Sequence, residues 1–267
     1  MSTWKNGLKE LTRRAAGSIG YEIRRKQPKA IKSLTPKLTA YEAALQTLLA
    51  CRDYVHIVQI GANDGAINDP IYAFVSSAPD RTYILLVEPQ EDLIPYLRQN
   101  YAFHPNATIF QGAVGPPGTL ELHAVDPAYW PALKPIPYAT GWPNYRAPTG
   151  VTSAERAHVH KWLRNHLKES SNADKAIYTF QAPCMGLVDL LTKTGIEADI
   201  DVLQVDAEGF DDVVIYNANI GSLMPTLINF EVGRMEANRQ SELEHYLESL
   251  GYRINRCGND ALAVRIL

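Results

Sequence analysis

The chain has 267 residues, enough for one large α/β domain with additions or for two small domains. Its formal net charge of −3 gives no reason to expect a nucleic-acid partner. Cys51, Cys184 and Cys257 are scattered and form no CxxC or zinc pattern, no apolar run approaches the ~20 residues of a membrane-spanning helix, and no signal-peptide core follows the first basic residues; a reduced, cytoplasmic protein is expected.

Residues 1–38 form a basic extension. Lys5, Lys9, Arg13, Arg14, Arg24, Arg25, Lys26, Lys29 and Lys32 face only Glu10 and Glu22, while Trp4, Leu8, Leu11, Ala15, Ile19 and Ile23 recur at roughly helical spacing. Such a helix can lie on an anionic membrane or dock on a protein partner, and it can equally be a solvated extension. The main domain is expected over 39–267. Thr39 with Glu42 makes a capping box before Tyr41, Leu45, Leu48 and Leu49.

Val55 to Gly65 reads VHIVQIGANDG: a short apolar strand that breaks into a turn of small or αL-tolerant residues. Asn68-Asp69-Pro70 then starts a helix. Strand, glycine turn and helix together let backbone N–H groups approach a nucleotide-like ligand at the carboxyl end of a parallel sheet. The next apolar run, Tyr83 to Val87, ends in Glu88, an acid placed to take two ribose hydroxyls. A helix is expected over Glu91 to Asn100, a third strand over Thr108 to Gln111, and an added edge strand over Thr119 to Ala124.

From Asp126 to Gly150 the periodicity vanishes. Pro127, Pro131, Pro135, Pro137, Pro143 and Pro148 mix with Trp130, Tyr138, Trp142 and Tyr145, and 126–175 is expected to be an inserted lid or substrate wall. Thr152 with Glu155 suggests a second capping box and a helix through His158, Trp162 and Leu167. Tyr178 to Ala182 suits another edge strand and Leu187 to Thr194 another helix. Asp201 to Asp206 and Leu227 to Val232 are core strands, each finishing near an acid. A helix from Ser241 to Leu250, with Gly251 closing it, precedes a hairpin turning at Cys257 to Asp260. Alternating strands and helices with a final antiparallel pair indicate an α/β, Rossmann-like, doubly wound and mostly parallel sheet, with helices on both faces.

Two cofactor classes suit this cradle. A dinucleotide fingerprint wants G-x-G-x-x-G with an acid about 20 residues on. Counting from Gly61, Asn63 and Ala66 stand where the second and third glycines belong, and Glu88 lies farther along. S-adenosylmethionine has no diphosphate and needs fewer backbone donors, and the closing hairpin marks the methyltransferase version of this sheet. At QIGANDG, VEPQ, GAVG, LQVDAEGFDDVVI and INFEVG the sequence resembles the FkbM family of S-adenosylmethionine-dependent methyltransferases, from about Val55 to Arg265, with Asp206 to Gly209 as the most specific element. The resemblance implies a seven-stranded class I methyltransferase fold and O-methylation, often of sugars or glycans or of other hydroxylated small metabolites. Gln59 departs from the acid that many methyltransferases place in the first strand, and 126–150 aligns with nothing.

On this reading Gly61, Ala62, Asn63, Asp64 and Gly65 cradle the methionine half of the cofactor, and Glu88 with Pro89 holds the ribose. Gln111 and Ala113 border the adenine. Asp206, which would also touch the cofactor, is the first candidate base, with Glu208 and Glu231 sharing the work. A neutral sugar hydroxyl is a poor nucleophile until its proton is taken. The same carboxylates could hold Mg²⁺, which is not favoured. His158 and His160 are further candidate bases, should their helix close over the site. The alternatives are a nicotinamide-dependent oxidoreductase and a non-catalytic Rossmann-like interaction module.

Overall fold

Thr39 opens the first helix, α1 (Ala40–Cys51), with the expected capping box: its Oγ1 accepts the Glu42 N–H at 3.1 Å and its own N–H donates to Glu42 Oε2 at 2.6 Å. The computed structural model describes residues 38–196 and 199–266, so the basic segment and its reading as a docking helix lie outside the described residues. The elements that follow are β1 (Val55–Ile60), α2 (Tyr72–Ser77), β2 (Thr82–Glu88), α3 (Ile94–Asn100), β3 (Ala107–Gln111), β4 (Ala113–Val114) and β5 (Gly118–Val125). After these come α4 (Arg146–Thr149), α5 (Arg156–His166), β6 (Ile177–Met185), α6 (Leu187–Thr194), β7 (Val202–Val205), α7 (Asp211–Asn217) and α8 (Ile220–Leu223). The chain closes with β8 (Leu227–Glu231), α9 (Ala237–Ser249), β9 (Tyr252–Cys257) and β10 (Asp260–Arg265). No described helix is long and apolar enough to cross a membrane.

Seven strands form one sheet in the order β3-β2-β1-β7-β8-β10-β9. The pairs β1–β2, β1–β7, β2–β3 and β7–β8 are parallel, and β10 runs antiparallel to both β8 and β9. This is the expected class I methyltransferase arrangement. Its central strands read as unbroken apolar runs because both faces are covered. Ile57, Ile84, Leu86 and Val202 turn to one side, where Tyr41, Leu45 and Leu48 of α1 pack with Ile71, Phe74 and Val75. Val58, Ile60, Leu85, Val87, Leu203 and Val205 turn to the other, against Leu187, Leu190, Val214, Ile215, Leu243 and Leu247. Fully burying each such side chain contributes ~1.5–3 kcal/mol, so the two-sided core fixes the strand order.

The stretches expected as added edge strands do not join this sheet. Thr119 to Ala124 and Tyr178 to Ala182 lie in β5 and β6, which pair antiparallel from Gly118↔Cys184 to Val125↔Ile177 in a separate sheet of order β4-β6-β5. The chain leaves the main sheet at Gly112, where a Cβ would lie 2.4 Å from Phe110 Cε1 and 2.8 Å from the Pro183 carbonyl. Helix α5, through Val159 and Leu163, and Leu167 just after it cover the small sheet. The second capping box is also not formed. Thr152 Oγ1 instead donates to Gln90 Oε1 at 2.7 Å, and the Glu155 N–H goes to Ser153 Oγ at 3.2 Å, so α5 begins at Arg156. A tertiary partner outcompetes the local cap.

The neighbouring ends of β1 and β7, where successive strands diverge to opposite sides, form the crevice in which open α/β sheets bind ligands. There Gly61 adopts φ +77°, and a Cβ on it would stand 1.8 Å from the Asp206 carbonyl oxygen. Gly61→Ala is therefore expected to destabilise the fold by at least ~2 kcal/mol, from left-handed strain plus backbone displacement. Gly195→Ala, at φ +71° with nothing within 4 Å, should show only the strain, about 1 kcal/mol. Urea denaturation of both variants checks the difference, and equal losses would contradict it.

Candidate active site

At the carboxyl ends of β1, β2, β7 and β8 lies a cavity of about 820 Å³, within the ~300–1,000 Å³ typical of small-molecule sites. The glycine turn forms one wall. The N–H groups of Gly61 and Ala62 both donate to the Val87 carbonyl at 3.0 Å, which draws the turn across the end of β2. Asn63, at φ +51°, then donates its N–H to Glu88 Oε2 at 2.7 Å, while the Gln90 N–H donates to Glu88 Oε1 at 2.8 Å. Each carboxylate oxygen thus accepts one backbone N–H and keeps capacity for another donor. Burial pushes the Glu88 carboxyl up to about 7, opposed by those two N–H groups and by Arg146.

Of the residues expected in the cofactor cradle, Gly61, Ala62, Asn63, Glu88, Pro89, Ala113 and Asp206 line the cavity. Asp64, Gly65 and Gln111 are not among its lining residues. Asp64 is buried and staples the turn, its Oδ1 accepting the N–H groups of Ala66 and Ile67 at 3.1 and 3.0 Å. Gly65 makes room for Leu97 and Tyr101, which a Cβ would approach to 2.5 and 2.7 Å. Gln111 ends the edge strand β3 and is exposed.

Gln59, in the first strand, is paired with an acid ten residues later in the chain. Gln59 donates through Nε2 to Asp69 Oδ2 at 2.5 Å, and Asp69 Oδ1 accepts the N–H groups of Ile71 and Tyr72 at 2.8 and 2.7 Å. The helix opens at Tyr72, with Ile71 as its N-cap, rather than at Pro70; Asp69 ties the turn before it and also lines the cavity. Burial pushes its carboxyl up to about 6, against the hydrogen bond from Gln59. Gln59 Oε1 is buried and, among the described residues, has no partner.

The second wall is the acid-rich turn after β7. The Asp206 N–H donates to the Ile60 carbonyl at 2.9 Å, and its side chain opens onto the cavity. Asp206 is solvent-exposed within the cavity, yet the surrounding protein raises its carboxyl above its ordinary range by partial desolvation, against Arg146 and Arg234. Glu208 at φ +52° and Gly209 at φ +97° turn the chain into α7. Arg234 gathers the cluster: its Nη1 lies 2.7 Å from Glu208 Oε2 and donates to His158 Nε2 at 2.7 Å, and its Nε lies 3.3 Å from Glu231 Oε2. Burial, then repulsion from Asp206, holds Glu208 well above the usual carboxylate range. Burial and Arg234 lower His158, which as an acceptor from Arg234 is neutral at Nε2. Asp211, also raised to about 7 by burial and Asp206, clamps the turn to β8 through the N–H groups of Ala207 and Glu231 at 3.3 and 3.0 Å.

Asp206, Glu208 and Glu231 all line the cavity, as expected of them together. Neither histidine is among the cavity's lining residues: His158 reaches the Arg234–Glu208 pair behind it, whereas His160 turns to Asp174 at 3.5 Å. Among the described residues no three His, Cys, Asp or Glu side chains converge as a metal-ligand set. The Arg234 guanidinium stands between Glu208 and Glu231.

The inserted segment closes the third side. Tyr138, Trp142, Arg146, Thr149 and Thr152 line the cavity, and Tyr138 is 58% exposed. Over 126–150 its local order is two short 3₁₀ turns, Pro127–Ala132 and Pro137–Ala139, and the single turn α4. Arg146, Asp69, Arg234 and Asp260 are cavity residues that sequence reasoning missed. Only Asp69 carried a readable signal, and it read as a helix cap.

The family model described as the methyltransferase FkbM domain matches residues 59–254. No curated protein matches. Among solved structures, a precorrin-6y C5,15-methyltransferase from Geobacter metallireducens is similar at 12% identity over 89% of this chain and 94% of that one, with a TM-score of 0.41. An rRNA methylase from Streptococcus thermophilus is similar at 7% identity, over 87% of this chain and all (100%) of that one, with a TM-score of 0.42. The strand order, rather than these distant likenesses, establishes the fold.

The raised carboxyls make stability depend on pH with a definite sign. Between the ordinary 4.5 and about 7, folded Glu88 keeps a proton that the unfolded chain has lost, so stability falls as pH rises through that window. Glu88→Gln removes this contribution. Relative to the wild type, the variant should gain on the order of 3 kcal/mol from about pH 5 to about pH 8. Urea titrations at the two pH values test this, and a constant difference would show that Glu88 is ionised throughout.

Proposed function

This chain belongs to the methyltransferase FkbM family, and from that premise we propose that it transfers a methyl group from S-adenosylmethionine to a hydroxyl of a sugar, a glycan or another hydroxylated small metabolite. Family membership removes the ground for a nicotinamide-dependent oxidoreductase. The cavity fits the donor that the fold implies. Glu88 offers two fixed carboxylate oxygens with spare acceptor capacity, the pattern that holds a vicinal diol, beside a turn whose glycine keeps the wall clear of side chains. When bound, S-adenosylmethionine supplies a methyl group on a sulfonium already activated for in-line displacement. The protein's share is to align the acceptor and to take its proton.

The observation that carries the reading is the position of Asp206. Its N–H is tied to Ile60 beside the glycine turn, and its carboxylate faces the cavity that Glu88 also lines. A carboxylate raised above its ordinary range is a stronger base, closer to what proton removal from a hydroxyl demands. Glu208 and Glu231, bridged by Arg234, extend the polar wall, and Asn259 and Asp260 add further acceptors. Tyr138 and Trp142 line the same space, and aromatic rings suit the apolar face of a sugar ring. That mixture supports a small polyhydroxylated acceptor.

Asp206→Asn is expected to lower kcat by ~10²–10⁴-fold while S-adenosylhomocysteine binding, read by calorimetry, changes little. The assay is release of S-adenosylhomocysteine against a panel of free and linked sugars. A wild type that fails to bind S-adenosylhomocysteine would sink the donor reading. Turnover by Asp206→Asn at the wild-type rate would remove Asp206 from the chemistry. Donor binding without turnover on any acceptor would favour a non-catalytic interaction module.

A further inference from the structure

We propose that Arg146, carried by the inserted segment, binds the α-carboxylate of the methyl donor, so that the insertion completes the donor site as well as walling the acceptor side. The inference rests on the donor reading above and adds a residue to it. The Arg146 side chain is only 13% exposed, yet one of its five N–H donors is engaged: Nε donates to the Ile67 carbonyl at 3.0 Å and lies 3.6 Å from Asp64 Oδ1. Among the described residues, neither Nη group makes a hydrogen bond. The guanidinium lies over the Trp142 ring, its carbon 5.5 Å from the centroid, and its Nη groups stay open to the cavity, where their planar fork matches a carboxylate through two parallel N–H···O bonds.

Two further observations locate that fork. A Cβ at Gly150 would stand 2.9 Å from Arg146 Nη1, so the glycine leaves room for the guanidinium at the cavity wall. The segment bearing it is also fixed to the cradle turn. Tyr145 Oη donates to Asp64 Oδ2 at 3.1 Å, its ring stacks on Tyr96 with centroids 4.1 Å apart, and the Asn63 side-chain amide reaches Thr149 Oγ1 at 3.4 Å. Arg146 therefore stands by the turn after β1, beside Asp64 and Ile67, where the amino-acid end of the donor is expected. The cavity acids Asp69, Glu88 and Asp206 surround it with the opposite charge, suited to the donor's ammonium and sulfonium. Arg146 is the cation in that wall suited to the donor's one anionic group.

The test compares donor analogues by calorimetry on the full chain: S-adenosylmethionine, decarboxylated S-adenosylmethionine, S-adenosylhomocysteine and 5′-methylthioadenosine. In the wild type, loss of the carboxylate should weaken binding by ~10–100-fold, the loss of a charge-assisted pair. Arg146→Ala should weaken the two carboxylate-bearing ligands by a similar factor and leave the other two within about threefold, closing the gap. Arg146→Lys, which keeps the charge and loses the fork, should fall between. Equal affinity of the wild type for S-adenosylmethionine and its decarboxylated form would overturn the proposal without needing a folded variant. Equal losses for all four ligands in Arg146→Ala would also overturn it, marking Arg146 as an internal counter-ion of the acids. Failure of the wild type to bind any of the four would strike the donor reading itself.

Discussion

The site depends on one close approach, the passage of Gly61 against the carbonyl of Asp206. β1 and β7 lie side by side, and the Asp206 N–H bonds to Ile60, so the two strand ends leave the sheet at the same point. Any side chain at position 61 would occupy the Asp206 backbone. Because the turn can pass so closely, its next N–H groups reach Val87 and Glu88, which orients the Glu88 carboxylate in turn. Glycine turn, ribose-type acid and candidate base are thus held by one packing event, not by three separate local preferences.

Around that contact, acids outnumber bases in a confined space. Asp69, Glu88, Asp206, Glu208 and Glu231 line a cavity shared with Arg146 and Arg234. Desolvation is the largest cause of the upward shift for each of these carboxyls, with mutual repulsion adding to it for Asp206's neighbours. Backbone strain concentrates in the same place. Asn63, Asn68 and Glu208 hold φ of +51°, +55° and +52°, and all three line the cavity. Each costs about 1–2 kcal/mol for a residue with a side chain. The fold spends conformational stability where groups must face inward.

Much of this was legible in the sequence because two-sided burial writes itself as apolar runs. Val55–Ile60, Tyr83–Val87, Val202–Val205 and Leu227–Phe230 could be placed in a parallel sheet without any partner in view, and Cys257-Gly258-Asn259-Asp260 announced the closing hairpin. What could not be read was pairing between distant segments. Alternation in Thr119–Ala124 shows a strand with unlike faces but says nothing of which sheet it joins. Thr152 has the right neighbour for a cap, yet Gln90, sixty-two residues away in the chain, takes its hydroxyl. Asp69 spoke only as a helix start because its second role comes from Gln59 across the turn. Arg146 sits in an aperiodic, proline-rich stretch, where no pattern ranks one residue above another.

The anchoring of the insertion to the cradle has an evolutionary consequence. Tyr145 and Thr149 touch Asp64 and Asn63, while Tyr138 and Trp142 line the same cavity. A lineage that replaces this segment must preserve its footing on the turn or re-evolve it. Changes to this wall of the cavity are therefore inherited together with the upkeep of the cradle, and a segment grafted from a relative would have to fit both.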